Sequence, residues 1–116
     1  MEEALTSHVK LTLRFDGSGF FGPGVAELLE LIEECGSIKD ACAQMGLSYS
    51  KGRYILKRAE TVLDFPLLEV RHGGTGGGAS CITEKGKRFL TAYREWEAEV
   101  SRYAEKRFLE RGSLLE

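Results

Sequence analysis

The side chains best suited to catalysis or metal binding are two histidines and three cysteines. His8 precedes an alternating apolar segment and His72 begins a glycine-rich stretch, and neither has a nucleophile or carboxylate at a spacing that indicates catalysis. The cysteines, at positions 35, 42 and 81, are odd in number and form no Cys-x-x-Cys pair, which argues against a disulfide framework and a zinc site. We expect buried, apolar cysteines and a protein that is not an enzyme and carries no metal or cofactor.

Basic residues are concentrated in the middle of the chain, although the net charge is −2. Residues 37–94 carry ten basic and five acidic side chains, whereas residues 1–36 carry two and seven and residues 95–116 carry four and six. A local basic surface is what attracts a phosphate backbone. Taken alone, this charge distribution fits a solvated basic face equally well.

The hydrophobic pattern predicts a hairpin, three helices, a second hairpin and a long helix within one domain spanning residues 1–116. Apolar and polar residues alternate from Val9 to Phe15, and the following pair, Asp16 and Gly17, is typical of a hairpin turn. The predicted segments are a hairpin over 8–21, helices over 23–35, 38–45 and 49–63, a hairpin over 67–82 and a helix over 84–110. This is the order of a mainly α, α+β winged helix-turn-helix with an added N-terminal hairpin and a long C-terminal helix.

The segment 37–63 predicts the helix-turn-helix itself. Two helices that cross steeply need small side chains at the crossing, and Ala41 and Cys42 are small. The tight turn between the helices needs a residue that accepts positive φ, and Gly46 stands there. Gly52 lies inside the next helix, where a glycine costs about 1 kcal/mol relative to alanine, so we expect close helix packing at that point.

The third helix offers a polar, basic face on the side opposite its apolar stripe. With about 100° of rotation per residue, Ser50, Tyr54 and Lys57 point outward, and other polar and basic residues flank them. A recognition helix enters the major groove of DNA with its N-terminal residues near the bases. The alternative is an ordinary three-helix bundle with a solvated face. The candidate DNA-contacting residues of this region are Lys39, Ser48, Tyr49, Ser50, Lys51, Arg53, Tyr54 and Lys57.

The second hairpin is predicted to be a wing whose tip, within residues 72–78, is rich in glycine. Five glycines fall within the six residues 73–78, so the backbone amides could approach phosphates closely. A nucleotide-binding phosphate loop is disfavoured because no Gly-Lys-Ser/Thr follows, and a disordered tip remains an alternative. The candidate contacts are Arg71, His72, Gly74, Thr75 and Gly76.

The last helix carries a seam of large apolar residues at heptad spacing over about two heptads. Part of this seam must cover the domain's own core, and the remainder predicts a two-fold contact in a homodimer. Two copies would then cover paired half-sites on DNA. The seam consists of Phe89, Tyr93, Trp96, Val100 and Tyr103.

Five short motifs, in this order and spacing, resemble the N-terminal DNA-binding domain of the molybdate-responsive regulators called ModE, a domain related to the DNA-binding heads of LysR-type regulators. The resemblance spans residues 9–95. The motifs are Gly22-Pro23-Gly24, Gly36-Ser37-Ile38, Gly46-Leu47-Ser48-Tyr49, the glycine-rich stretch 73–79 and Ile82-Thr83-Glu84-Lys85-Gly86.

This resemblance implies a winged helix-turn-helix, a homodimer and binding of double-stranded DNA by a transcriptional regulator linked to molybdenum. Molybdate binding is not carried over, because in ModE further C-terminal domains hold it and no segment here supplies an oxyanion pocket. The alternative function is a winged-helix protein–protein interaction module without DNA binding. The acidic N-terminus and the lack of a long apolar run predict a cytoplasmic protein without a membrane partner.

Overall fold

The computed structural model describes residues 5–72 and 78–112, with only the backbone described at His72 and Gly78. Within these ranges the fold is α+β, with four helices and two small antiparallel hairpins, and it is consistent with a winged helix. The elements are β1 (Leu13–Phe15), β2 (Ser18–Phe21), α1 (Pro23–Cys35), α2 (Ile38–Gln44), α3 (Tyr49–Leu63), β3 (Leu68–His72), β4 (Gly78–Ile82) and α4 (Glu84–Glu110).

The N-terminal hairpin is shorter than the sequence predicts. The turn has the expected geometry, with positive φ at Asp16 and Gly17. The ladder, however, joins only β1 to β2, and its register shifts after Leu13, which pairs with Phe21. Because the chain enters α1 two residues after Phe21, no strand of the described ranges pairs with residues 8–12, and the prediction of a hairpin over 8–21 is wrong for that part.

The other elements differ little from the predicted segments. Helices α1, α3 and α4 have the predicted bounds, and α2 ends one residue earlier because Met45 is its C-cap. The second hairpin begins at Leu68, since the preceding residue, Leu67, is fully buried and bonds outside the β3–β4 ladder.

The core is built around Phe21, the last residue of β2, which is 1% exposed. Its ring meets the rings of Phe89 and Tyr93 on α4 edge-on, at centroid distances of 4.8 and 5.0 Å. Such edge-to-face pairs are favourable beyond the area that they bury. Leucine, isoleucine and alanine side chains of α1, α2 and α3 complete this cluster, so the N-terminal hairpin and the first half of α4 share one core with the three helices.

Polar contacts fix α4 against the rest of the chain. The guanidinium of Arg94 donates to both carboxylate oxygens of Glu30 on α1, at 3.1 and 2.6 Å, and also to Glu97. These hydrogen bonds, chiefly those with Glu30, raise the pKa of Arg94. The Tyr93 hydroxyl donates to the Leu11 carbonyl at 2.7 Å, so the segment before β1 is bonded to α4 instead of to a strand.

Helices α2 and α3 approach each other at Cys42 and Gly52. Both residues are buried, and a Cβ added at Gly52 would lie 2.2 Å from the Cys42 sulfur. Burial raises the pKa of the Cys42 thiol, which keeps it neutral and lets it act as a small apolar side chain. The close packing that the glycine predicted is therefore present, and the sulfur fills the space that a side chain at position 52 would take.

The expectation of buried cysteines holds for Cys42 and Cys81 and is wrong for Cys35, which is exposed. Cys35 is the last residue of α1, and its thiol donates to the Ser37 carbonyl at 3.3 Å beside the chain reversal.

We expect Gly52→Ala to destabilise the fold. Replacing a helical glycine by alanine normally stabilises by about 1 kcal/mol, but an overpacked core costs about 1–3 kcal/mol, and here the added methyl meets a sulfur at van der Waals overlap. Urea unfolding followed by circular dichroism measures the difference. Gly24→Ala is the matched control, since a Cβ at Gly24 in the first turn of α1 meets nothing within 4 Å.

The double variant Cys42→Ala/Gly52→Ala separates overpacking from other effects. With the sulfur removed, the nearest remaining atom is the Cβ of residue 42 at 3.7 Å, an ordinary contact. The two substitutions should therefore cost less together than the sum of the single changes. Additive costs would contradict the packing explanation.

We expect Tyr93→Phe to lower the free energy of unfolding by about 1–2 kcal/mol near pH 8, because the Leu11 carbonyl loses its donor.

Burial, followed by the charge of Glu97, raises the pKa of Tyr93 to about 12. In the unfolded chain a tyrosine has a pKa of about 10, so the stability that Tyr93 contributes to the folded state is fully present below pH 10. This contribution is lost as the pH rises towards 12, because the unfolded chain loses the tyrosine proton first. Unfolding measured from pH 8 to 12 should show a smaller decline for Tyr93→Phe than for the wild type. Tyr54→Phe, which changes an exposed hydroxyl, should behave as the wild type does.

Candidate nucleic-acid interface

The turn between α2 and α3 is held by backbone hydrogen bonds of a Schellman type. Leu47 N–H donates to the Cys42 carbonyl at 2.9 Å and Gly46 N–H donates to the Ala43 carbonyl at 3.1 Å, with Gly46 at a φ of 70°. The Ser48 hydroxyl then caps α3 by accepting from Lys51 N–H at 3.1 Å. Gly46 and Ser48 therefore fix where α3 begins.

The outward face of α3 is the one that the helical periodicity predicts. Gly52, Leu56 and Ala59 face the core. Tyr49 and Tyr54 are 51% and 63% exposed. The predicted contact residues of this region are all exposed: Lys39 on α2, the cap Ser48, and Tyr49, Ser50, Lys51, Arg53, Tyr54 and Lys57 on α3.

Two aromatic rings on this face lie beside cations. The Arg53 guanidinium lies 6.0 Å from the Tyr49 ring centroid, and the Lys51 ammonium lies 5.9 Å from that of Tyr54. At exposed sites such contacts are worth about 0.5–1 kcal/mol. They orient the cations across the surface of α3 while leaving their hydrogen-bond donors accessible.

Acidic partners are absent from this face in the described part of the chain. Every ion pair among residues 5–72 and 78–112 involves a basic side chain of α4, namely Lys87, Arg94 or Arg107. The basic residues of α2 and α3 belong to none of these pairs. No ion pair of the described residues therefore engages them, and the side chains of Lys39, Lys51, Arg53 and Lys57 are exposed.

The β3–β4 hairpin is anchored at its base by two carboxylates and a carbonyl. Glu60 of α3 accepts from Leu67 N–H at 2.7 Å, just before β3, and Glu33 of α1 accepts from Ile82 N–H at 2.8 Å, at the end of β4. Ser80 N–H donates to the Gly36 carbonyl at 2.9 Å. These bonds fix the base of the hairpin relative to α1 and α3.

A cleft of about 180 Å³, here called the β3–β4 cleft, separates α3 from this hairpin. Arg53 and Lys57 line it from α3, and Val70 and Ser80 line it from the strands. Tyr49 and Ser80 also line a second depression with Lys39. The base of the predicted wing therefore lies beside the predicted recognition helix.

The residues predicted for the wing are described only in part. Arg71 is exposed on β3 and pairs with Ala79. The backbone of His72 pairs with Gly78. Gly74, Thr75 and Gly76 lie outside the described residues.

The predicted seam on α4 divides into two parts. Tyr93 is 2% exposed, so it serves its own domain and its assignment to the dimer contact is corrected. Phe89 is half-buried and packs against the core, as expected for the part of the seam that covers the domain itself. Trp96 and Tyr103 are 48% and 63% exposed, and Val100 is half-buried. Only these last three remain available to a partner.

Sequence reasoning missed the polar contacts that join distant elements. The Arg58 guanidinium donates to the Ser18 and Gly19 carbonyls, both at 3.4 Å, and ties α3 to the N-terminal hairpin. Glu33 and Glu60 hold the β3–β4 hairpin. The spacing of Arg58 seven residues after Lys51 signals a shared face, but nothing local to Glu33 or Glu60 indicates their partners.

The described residues contain no group of three or more histidine, cysteine, aspartate or glutamate side chains arranged to hold a metal ion. No helix in the described ranges is both long and apolar enough to cross a membrane.

Several curated proteins are similar to most of this chain, although no protein-family model matches it. The molybdenum transport protein ModE of Herbaspirillum seropedicae is 34% identical over 91 residues, which are 78% of this chain and 32% of that protein. The transcriptional regulator ModE of Haemophilus influenzae is 31% identical over 87 residues, 75% of this chain and 34% of that protein. The DNA-binding transcriptional dual regulator ModE of Escherichia coli (strain K12) is 28% identical over 89 residues, 77% of this chain and 34% of that protein.

The chain thus spans about a third of the length of the curated relatives that it matches. The names of these relatives connect them with transcriptional regulation and molybdenum. The resemblance predicted from the motifs is confirmed: over about three quarters of its length the chain is similar to ModE regulators, consistent with a ModE-like N-terminal DNA-binding domain.

Proposed function

We propose that this chain binds double-stranded DNA in a sequence-specific way as the DNA-binding domain of a transcriptional regulator. In this proposal α3 enters the major groove and the β3–β4 hairpin lies along the backbone or minor groove. The observation that carries the proposal is the exposed face of α3, whose cations have no acidic partner in the described structure. The similarity to proteins named as DNA-binding regulators supports it.

The residues divide into two roles. Ser50, Tyr54 and Arg53 project from the first half of α3, where a recognition helix meets base edges. The remaining predicted residues are assigned to the phosphate backbone, where contacts position the protein without reading the base sequence. We assign Lys39, Lys51, Lys57 and Arg71 to that role, together with Ser48, Tyr49 and the predicted tip contacts at His72, Gly74, Thr75 and Gly76.

Fluorescence anisotropy with a duplex selected from a random DNA pool tests the proposal. If about six phosphates are neutralised per protomer, log K should fall with log salt with a slope of about −5. The alternative function, a protein-interaction module, predicts no salt-dependent DNA binding together with a stable protein partner.

We expect Arg53→Ala to weaken binding to the selected duplex by about 10- to 100-fold and binding to random DNA much less, because a lost base contact is worth about 1–3 kcal/mol of discrimination. The same titration on both duplexes measures the ratio. Lys106→Ala, which removes an exposed cation from the far half of α4, is the control. Equal losses on both duplexes would show that Arg53 contacts only phosphate.

We also propose that α4 forms a two-fold contact through Trp96, Val100 and Tyr103, so that two copies cover paired half-sites about 34 Å apart or a multiple of that distance. Two exposed aromatic rings on one helix are the supporting observation.

At tens of micromolar, light scattering should give the mass of two 12.9 kDa chains for the wild type and of one chain for Trp96→Glu, since a carboxylate opposes burial in an apolar contact. Ala98→Glu is the matched control, because residue 98 is exposed and lies nearly opposite Trp96 on the helix. A wild-type mass of one chain would overturn the dimer.

A further inference from the structure

A second groove lies on the side of α3 away from the β3–β4 cleft. This β1–β2 groove, of about 520 Å³, runs between α3, the α2–α3 turn and the N-terminal hairpin. Lys51, Tyr54 and Arg58 line it from α3, and Lys10 lines it from the segment before β1. None of its lining residues is acidic, whereas Glu60 and Glu69 line the β3–β4 cleft.

The rotation of the helix places the two sets of cations on opposite flanks of one exposed face. At about 100° per residue, Arg53 and Lys57 lie on the flank next to the β3–β4 cleft, and Lys51 and Arg58 lie on the other flank. Tyr54 lies between the two flanks. The exposed face of α3 therefore has cations along both of its edges.

The N-terminal hairpin is hydrogen-bonded to α3 at this groove. Arg58 donates from Nε and Nη2 to the Gly19 and Ser18 carbonyls. A Cβ added at Gly19 would lie 3.1 Å from the Thr12 methyl group, so the segment before β1 packs closely against β2. Lys10 lies in this same segment and is exposed, and it belongs to no ion pair of the described residues.

We propose that the β1–β2 groove is a second site for the DNA backbone, in which Lys10 and Arg58 contact phosphates on the rim of the major groove opposite the rim contacted by the β3–β4 hairpin. The inference rests on the proposed function. A helix in the major groove, which is about 12 Å wide, has a phosphate strand on each side. The groove shares Lys51 and Tyr54 with the exposed face of α3, and this continuity favours DNA over an acidic peptide as its occupant.

Lys10→Gln tests the proposal, because Lys10 makes no hydrogen bond or ion pair in the described chain and its loss should leave the fold intact. Binding to a random-sequence 30-bp duplex is measured by anisotropy across a salt series. One lost phosphate contact should reduce the magnitude of the slope of log K against log salt by about 1 and weaken binding several-fold at low salt, uniformly across sequences. Lys106→Gln, the same change at an exposed position of α4, should leave the slope unchanged.

A second variant checks that the two rims are independent. Lys10→Gln and Arg71→Gln should add in log K, since the proposal places their phosphates on different strands. An unchanged slope for Lys10→Gln, in a wild type whose binding depends on salt, would overturn this inference and leave the proposed function intact. Absence of salt-dependent binding by the wild type would overturn the proposed function and this inference with it.

Discussion

The contact between Cys42 and Gly52 is the constraint on which the rest of the structure depends. A glycine in the middle of α3 allows the Cys42 sulfur of α2 to enter the space of a missing side chain. The crossing of the two helices then has a fixed point, and the rotation of α3 about its own axis follows from it. Because Gly52, Leu56 and Ala59 face inward, Ser50, Tyr54 and Lys57 face outward.

Basic side chains have different neighbours on α4 and on α3. On α4, basic side chains pair with carboxylates, as Arg94 does with Glu30, and these pairs join α4 to α1. On α3, cations lie beside tyrosine rings, which leaves their donors accessible to an external anion. The net charge of −2 therefore conceals a local basic surface, and a phosphate backbone responds to the local field and not to the net charge.

Both hairpins are bonded to the helices through charged side chains. Glu60 and Glu33 accept from backbone amides at either end of the β3–β4 hairpin, and Arg58 donates to carbonyls of β2. A carboxylate or guanidinium bonded to backbone fixes distance and direction at once, and charge-assisted bonds are the stronger ones. These bonds attach one hairpin on each flank of α3.

The sequence by itself determined the types and nearly all the bounds of the elements, because helical periodicity, serine caps and glycine turns act within a few residues of one another. It also determined the outward face of α3. Tertiary structure decided what depends on residues far apart in the chain. Tyr93 belongs to the core and not to a dimer seam because its hydroxyl reaches Leu11, 82 residues away. Likewise, Lys10 lines the same groove as Lys51 and Tyr54 of α3, an arrangement of residues far apart in the chain that no local pattern encodes.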